Sequence, residues 1–245
     1  MVKRKITKKG RVLALAYDQG MEHGTDDFND KNVNPEYIFE IARKGGVTAI
    51  VVQKGIAERY YDKKKDVPLI VKLNGKTKLR KGEALSLQVC SVKEALRLGA
   101  SAVGYTVYFG SKYEAQMMKE FGKIEEECDK AGIPAILWAY PRGKDIKKIT
   151  PRIIEYAARE GLELGAEMVK VNYTGSLQSF KKVVRAAGRC KVVSLGGGKR
   201  PEKELLVQAR DTIKAGGVGM IVGRNIWQHK DPIAFIKKLK KEIWK

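Results

Sequence analysis

Histidine is nearly missing from this sequence, with only His23 and His229 among 245 residues. A zinc site that stabilises an enolate or activates water draws on several imidazole or thiolate ligands, so no metal is expected here. Cysteine is as scarce: Cys90, Cys128 and Cys190 are odd in number, far apart and outside any C-x-x-C pair. Neither a disulfide framework nor a thiolate cluster follows, and the three read as small buried apolar residues. No apolar run approaches the roughly 20 residues of a membrane helix, and "MVKRKITKKGR" leads into a strand-like segment instead of a cleavable signal. A cytoplasmic protein with no membrane partner is therefore expected. Negative charge is also short, with 28 acidic residues against 49 Lys and Arg and a formal charge of +21. That excess favours anionic partners without choosing among nucleic acid, acidic lipid and phosphorylated small molecules. The basic runs (residues 1–11, Lys63–Lys65 and Lys237–Lys241) lack interleaved aromatics and no nucleic-acid motif is present, so nucleic acid is not the expected partner.

What is abundant is alternation. Short runs rich in β-branched residues occur at 12–18 (VLALAYD), 49–53, 68–73, 102–108, 135–140 (AILWAY), 168–173 (MVKVNY), 191–195 and 219–223. Segments of helical period lie between them, such as 35–46, 91–100 and 150–166, where Thr150 then Pro151 predicts an N-cap and a first-turn proline. The closing segment 231–245 puts Ile233, Ile236, Leu239 and Ile243 on one stripe. Eight strand segments alternating with helices in 245 residues predict a single (β/α)8 TIM barrel over residues 1–245. An open doubly wound sheet would want a G-x-G-x-x-G turn after the first strand, and "YDQGMEHG" is not one.

In a barrel each strand sorts by its period of two into residues facing helices and residues facing the interior. The first segment sends Leu13, Leu15 and Tyr17 outward and Ala14, Ala16 and Asp18 inward; the fifth sends Ile136, Trp138 and Tyr140 inward; the sixth sends Met168, Lys170 and Asn172 inward. The polar members sit late in their strands, at the end where barrel enzymes keep their chemistry. A desolvated lysine there can be neutral, attack a ketone and form a Schiff base, with Tyr140 open to proton transfer and Asp18 to orienting hydroxyls. Periodicity equally allows a Lys170–Asp18 ion pair and aromatic core filling. After the seventh and eighth strands, "SLGGGKR" and "VGRN" supply Gly196, Gly197, Gly223 and Arg224, a setting in which backbone N–H groups and a guanidinium hold a phosphate.

With these residues in hand, the chain resembles the archaeal-type class I fructose-1,6-bisphosphate aldolases over essentially its full length. The segments "LAYDQGMEHG" (15–24), "VKLNGKT" (71–77), "VGYTVYFGS" (103–111), "LWAYPRG" (137–143), "MVKVNYTG" (168–175), "GGGK" (196–199) and "VGRNIWQ" (222–228) carry the resemblance. It implies a Schiff-base lysine at Lys170, a proton-transferring tyrosine at Tyr140, Asp18 and Trp138 beside them, and Gln19, His23 and Arg142 as substrate contacts. It also implies a phosphorylated sugar substrate, no cofactor, a place in glycolysis or gluconeogenesis, and a homo-oligomer, often a large one. Where relatives tend to carry Ser-Gly-Gly after the seventh strand, this chain has Leu195-Gly196-Gly197, which removes a hydroxyl donor from the phosphate loop. The alternatives are a transaldolase-like 2-amino-3,7-dideoxy-D-threo-hept-6-ulosonate synthase, which would share Lys170, Tyr140 and Asp18, and a non-catalytic barrel that binds phosphosugars or nucleic acid.

Overall fold

The computed structural model describes residues 4–79 and 81–245; Met1, Val2 and Lys3, at the start of the basic N-terminal run, lie outside the described residues. Eight strands close a parallel barrel in sequential order: β1 (Val12–Ala16), β2 (Ala49–Gln53), β3 (Leu69–Lys72), β4 (Ala100–Phe109), β5 (Ala135–Pro141), β6 (Met168–Val171), β7 (Lys191–Leu195) and β8 (Gly219–Val222), with β8 returning to β1. These are the eight expected segments, within a few residues at each end. A two-residue antiparallel ribbon, Asn74–Gly75 with Leu87–Gln88, follows β3 and has no counterpart in the periodicity. It is too short to leave one.

Every barrel strand is apolar because both of its faces are covered, one by helices and one by the other strands. The two faces form separate cores. Leu13, Leu15, Leu137, Val169 and Val171 join the outer core under the helices. Val12, Ala14, Ala16, Ala49, Val51, Ile70, Ala102, Ile136, Trp138, Met168, Val193 and Ile221 fill the interior, with Ile6 among them. Alanines on β1, β2 and β4 leave the room that Trp138 and Met168 take up. Helix starts follow from local chemistry: Asn34, Ser91, Thr150, Ser176 and Asp231 each accept a backbone N–H at an N-cap, and Pro35, Pro151 and Pro232 occupy first-turn positions. In the closing helix Pro232–Ile243 the buried stripe is Phe235, Ile236, Leu239 and Ile243; Ile233 is only partly buried, and the Phe235 ring carries more of the contact. All three cysteines are buried and unpaired, and burial pushes the Cys128 and Cys190 thiols up to about 12.

Parallel register sets what meets at the C-terminal mouth. Lys72 on β3 aligns with Gly104 on β4, Thr106 with Trp138 on β5, and Trp138 with Lys170 on β6. Two neighbouring rows meet at one side chain: the Lys72 and Lys170 amines both lie over the Trp138 ring.

Candidate active site

A cavity of about 320 Å³ opens at the C-terminal ends of the strands. All twelve residues singled out from the sequence line it: Asp18, Gln19, His23, Trp138, Tyr140, Arg142, Lys170, Asn172, Gly196, Gly197, Gly223 and Arg224. Strand periodicity located Trp138, Tyr140 and Lys170 on β5 and β6 and Asp18 and Asn172 just past the ends of β1 and β6, because a residue one place off would point into the helix layer.

Lys170 is 6% exposed, with its Nζ 4.7 Å from the Trp138 ring centroid and 5.9 Å from that of Tyr140. Burial strips water from the ammonium and lowers its pKa from 10.5 to about 8, although Asp18 and Glu22 act in the opposite sense. A useful fraction of this lysine is thus a free amine near neutral pH. Burial, with the charges of Asp18 and Glu22 and the neighbouring Tyr108 hydroxyl, pushes Tyr140 well above its usual value and holds it as a neutral phenol. The indole is seated by Gly104: a Cβ there would occupy the space of the six-membered ring of Trp138. Gly104→Ala is expected to destabilise the fold by about 1–3 kcal/mol and to reduce activity, since the ring must leave its place beside Lys170. Urea denaturation alongside turnover measures both.

Sequence reasoning missed several cavity residues. Lys72, 4% exposed, lies across the same indole with its Nζ 5.7 Å from the ring centroid. It belongs to the "VKLNGKT" segment, and sorting β3 by its period of two would have turned it inward with Ile70. Glu22 accepts from Arg142 at 2.7 Å and from the Tyr108 hydroxyl at 3.5 Å. No periodicity could reveal this, because Glu22 lies on the four-residue helix Gly20–His23 after β1.

The segment around Glu22 is tied to three loops of the mouth. Glu22 pairs with Arg142 after β5, Asp26 with Lys78 after β3, and Asp27 with Arg224 after β8 at 3.2 Å and with His23. Arg224 therefore differs from the open phosphate clamp expected from the sequence: its Nη1 is held by the Asp27 carboxylate. The glycine loop is shaped by Asn225, whose Nδ2 donates to the Gly196 and Gly198 carbonyls at 3.1 and 2.9 Å, and by Arg200, which donates to the Gly196 carbonyl at 3.0 Å. Gly197 has φ of +70°, a conformation that favours glycine. Leu195 lines the cavity while the Ser194 hydroxyl bonds Thr212 and Gln208 away from it, so β7 presents no hydroxyl to the cavity.

Six buried side-chain polar atoms lack a hydrogen-bond partner among the described residues, and four belong to cavity residues: Gln19 Oε1, Gln53 Oε1, Trp138 Nε1 and Arg224 Nε. Buried polar groups are ordinarily paired, so their concentration here suits a polar ligand. Among the described residues no group of three His, Cys, Asp or Glu is placed to hold a metal ion. No described helix is long and apolar enough to cross a membrane.

Comparison with known proteins gives the family. The model of the DeoC/LacD family aldolases matches residues 12–229. The class 1 fructose-bisphosphate aldolase of Thermoproteus tenax is 45% identical, over 98% of this chain and 92% of that protein. A Methanocaldococcus jannaschii protein named fructose-bisphosphate aldolase/6-deoxy-5-ketofructose 1-phosphate synthase is 38% identical, over 93% of this chain and 79% of its own length. The solved structure of an archaeal fructose-1,6-bisphosphate aldolase, with its catalytic lysine covalently bound to the carbinolamine intermediate of the substrate, superposes with a TM-score of 0.92 at 44% identity, over 96% of this chain and 95% of that one. A parallel eight-stranded barrel with a buried lysine at its mouth, matched in sequence and structure over nearly its whole length, places this chain in the DeoC/LacD family, among the archaeal-type class I fructose-bisphosphate aldolases.

Proposed function

We propose that this protein is a Schiff-base aldolase that reversibly cleaves fructose 1,6-bisphosphate into dihydroxyacetone phosphate and glyceraldehyde 3-phosphate, with Lys170 as the nucleophile. The observation that carries the reading is the Lys170 amine, walled by Trp138 and Tyr140 in a cavity at the barrel mouth and poised to lose its proton near neutral pH. A non-catalytic barrel would have no use for an amine kept so costly to protonate.

The neutral Lys170 amine adds to the C2 carbonyl, and a proton passes from nitrogen to the new alkoxide to give a carbinolamine. Tyr140, a neutral phenol at rest, protonates the departing hydroxyl, leaving water, a protonated imine and a phenolate. The phenolate takes the C4 hydroxyl proton as the C3–C4 bond breaks; those electrons flow into the imine, giving an enamine and a free aldehyde. Tyr140 then protonates the enamine at C3, and water hydrolyses the resulting imine by the first steps in reverse. Asp18, whose charge acts on both Lys170 and Tyr140, stabilises the iminium and orients substrate hydroxyls. Gln19, His23, Asn172 and Arg142 contact the sugar and its phosphates, and Gly196, Gly197, Gly223 and Arg224 hold one phosphate once ligand draws Arg224 from Asp27. The reading includes a cytoplasmic homo-oligomer built from single-domain subunits, working in glycolysis or gluconeogenesis.

Borohydride with fructose 1,6-bisphosphate should add irreversible mass to the peptide containing Lys170, and chelator should leave the rate unchanged. Trapping on another peptide would remove Lys170 from its role. The kcat/KM profile should show an acid limb with an apparent pKa near 8, falling about tenfold per pH unit below it, because only the free amine reacts. A rate flat from pH 6 to 9 would contradict a lysine nucleophile in this setting. A coupled assay comparing fructose 1,6-bisphosphate with fructose 1-phosphate measures what the second phosphate contributes.

A further inference from the structure

Both arginines that would take phosphate are already occupied, and by one short stretch of chain. Arg142 after β5 donates from Nη1 to Glu22 Oε1 at 2.7 Å, and Arg224 after β8 donates from Nη1 to the two oxygens of Asp27 at 3.2 and 3.4 Å. Glu22 and Asp27 stand five positions apart in the segment that follows β1. β5 lies across the closed barrel from β1, so this segment reaches over the mouth to meet Arg142. Between the two, Asp26 pairs with Lys78 after β3.

Little else holds the segment down. None of residues 20–27 is buried, whereas Phe28 just beyond them packs against Tyr17 and Trp227 with ring centroids 5.3 and 5.6 Å away. Apart from the ion pairs, its ties to the rest of the mouth are few: Met21 rests on Gly75, the Lys78 N–H donates to the Glu22 carbonyl at 3.2 Å, and the Gln228 amide donates to the Asp27 carbonyl at 2.7 Å. A stretch with no apolar core of its own belongs to the part of a fold that opens most readily. The Glu22 and Arg142 side chains are 31% and 54% exposed, a setting in which an ion pair contributes little. Asp27 is better enclosed; burial raises its carboxyl, but His23 and Arg224 outweigh this and keep it below its usual value, so it meets Arg224 as an anion.

A phosphate dianion offers a guanidinium more charge and more acceptor oxygens than a carboxylate does. We propose that residues 20–27 form a strap that closes the mouth of the empty site, with Glu22 and Asp27 as internal competitors for the two phosphates of the ligand. A bisphosphate takes both arginines and frees the strap at both ends, while inorganic phosphate takes one and leaves the other end fastened. This rests on the fructose 1,6-bisphosphate reading, which gives each arginine a phosphate to hold. The rival arrangement, in which the carboxylates hold the arginines in place for phosphate, uses the same contacts and has the opposite sign on binding.

The experiment measures binding of mannitol 1,6-bisphosphate and of inorganic phosphate by calorimetry, on the whole chain, for the wild type, Glu22→Gln, Glu22→Asp and Asp27→Asn. Mannitol 1,6-bisphosphate carries two phosphates and no carbonyl, so no imine forms on Lys170 during the measurement. Glu22→Gln should tighten the bisphosphate about threefold, and Asp27→Asn about fivefold to tenfold. Glu22→Asp keeps the charge but falls a methylene short of Arg142, and it should tighten binding as Glu22→Gln does. Wild-type affinity in Glu22→Asp would reduce the effect to general charge and overturn the proposal. Weaker binding by Asp27→Asn or Glu22→Asp would make the carboxylates supports for the arginines, which also overturns it. Hydrogen exchange of the wild type tests the movement: the peptide covering residues 20–27 should exchange faster with saturating mannitol 1,6-bisphosphate than in the empty protein, and no faster with inorganic phosphate. Slower exchange with the bisphosphate overturns the strap and leaves the aldolase reading standing. A wild-type protein that binds no mannitol 1,6-bisphosphate overturns the bisphosphate reading and this proposal together.

Discussion

Lys170→Met should abolish the borohydride-trapped adduct, lower turnover by about four orders of magnitude or more, and raise the melting temperature. The first two effects follow from losing the only group that forms the covalent electron sink; without the imine, cleavage would place a full carbanion beside C2. The third follows from the cost of burying an amine. Lysine in the unfolded chain titrates near 10.4, whereas Lys170 in the barrel titrates near 8. A base with a lowered native pKa is bound to its proton more tightly in the unfolded state, so the native state loses stability as pH falls from about 10.4 to 8 and carries the whole penalty below 8. At 1.36 kcal/mol per pH unit the penalty is about 3 kcal/mol. The gain in melting temperature should therefore be largest at pH 7 and shrink toward pH 10.5. Calorimetry at the two pH values checks the sign. A variant that turned over normally, or that melted lower at pH 7 with no gain relative to pH 10, would refute the assigned role or the assigned strain.

Tyr140→Phe should separate chemistry from imine formation. The hydroxyl sits in a buried setting near Asp18 and Glu22, which keeps the phenol protonated at rest and makes it a proton donor when the iminium forms nearby. Removing the oxygen leaves the ring that walls Lys170, so ketone phosphate should still add to the amine and be trapped by borohydride. Cleavage and exchange of the C3 proton of dihydroxyacetone phosphate should each fall by about 10²–10⁴-fold, the range of a positioned acid or base. The KM should change little in comparison, because the lost contact is made while protons move and not while the phosphates bind. Equal loss of trapping and turnover would instead make Tyr140 a structural wall, and proton exchange at the wild-type rate would assign the proton transfer to another group.

Much of this site was legible before any coordinates. Lys170, Trp138 and Asp18 were found because these barrel strands run regularly for four to seven residues, and a period of two then decides which side chains share the interior. The glycine loops after β7 and β8 were legible as cavity lining because of their place in the βα order. Lys72 obeys the same rule on the equally short β3, where a period of two turns it inward with Ile70. Glu22, Asp26 and Asp27 obey no pattern; their partners Arg142, Lys78 and Arg224 are 120, 52 and 197 residues away. Arg224 shows the limit from the other side: its residue type pointed to an anion, and the anion it meets in the structure is Asp27.

Local chemistry along the chain determined the succession of strands and helices, their caps, and the division of each strand into inner and outer faces, because these depend on neighbours within a few positions. Only closure of the barrel decided that two lysines would flank one indole, that Gly104 would make room for it, and that three carboxylates of one short segment would engage cations from three loops. Burial and the distances between charges arise from the whole packing at once, and these are what set the protonation of Lys170 and Tyr140.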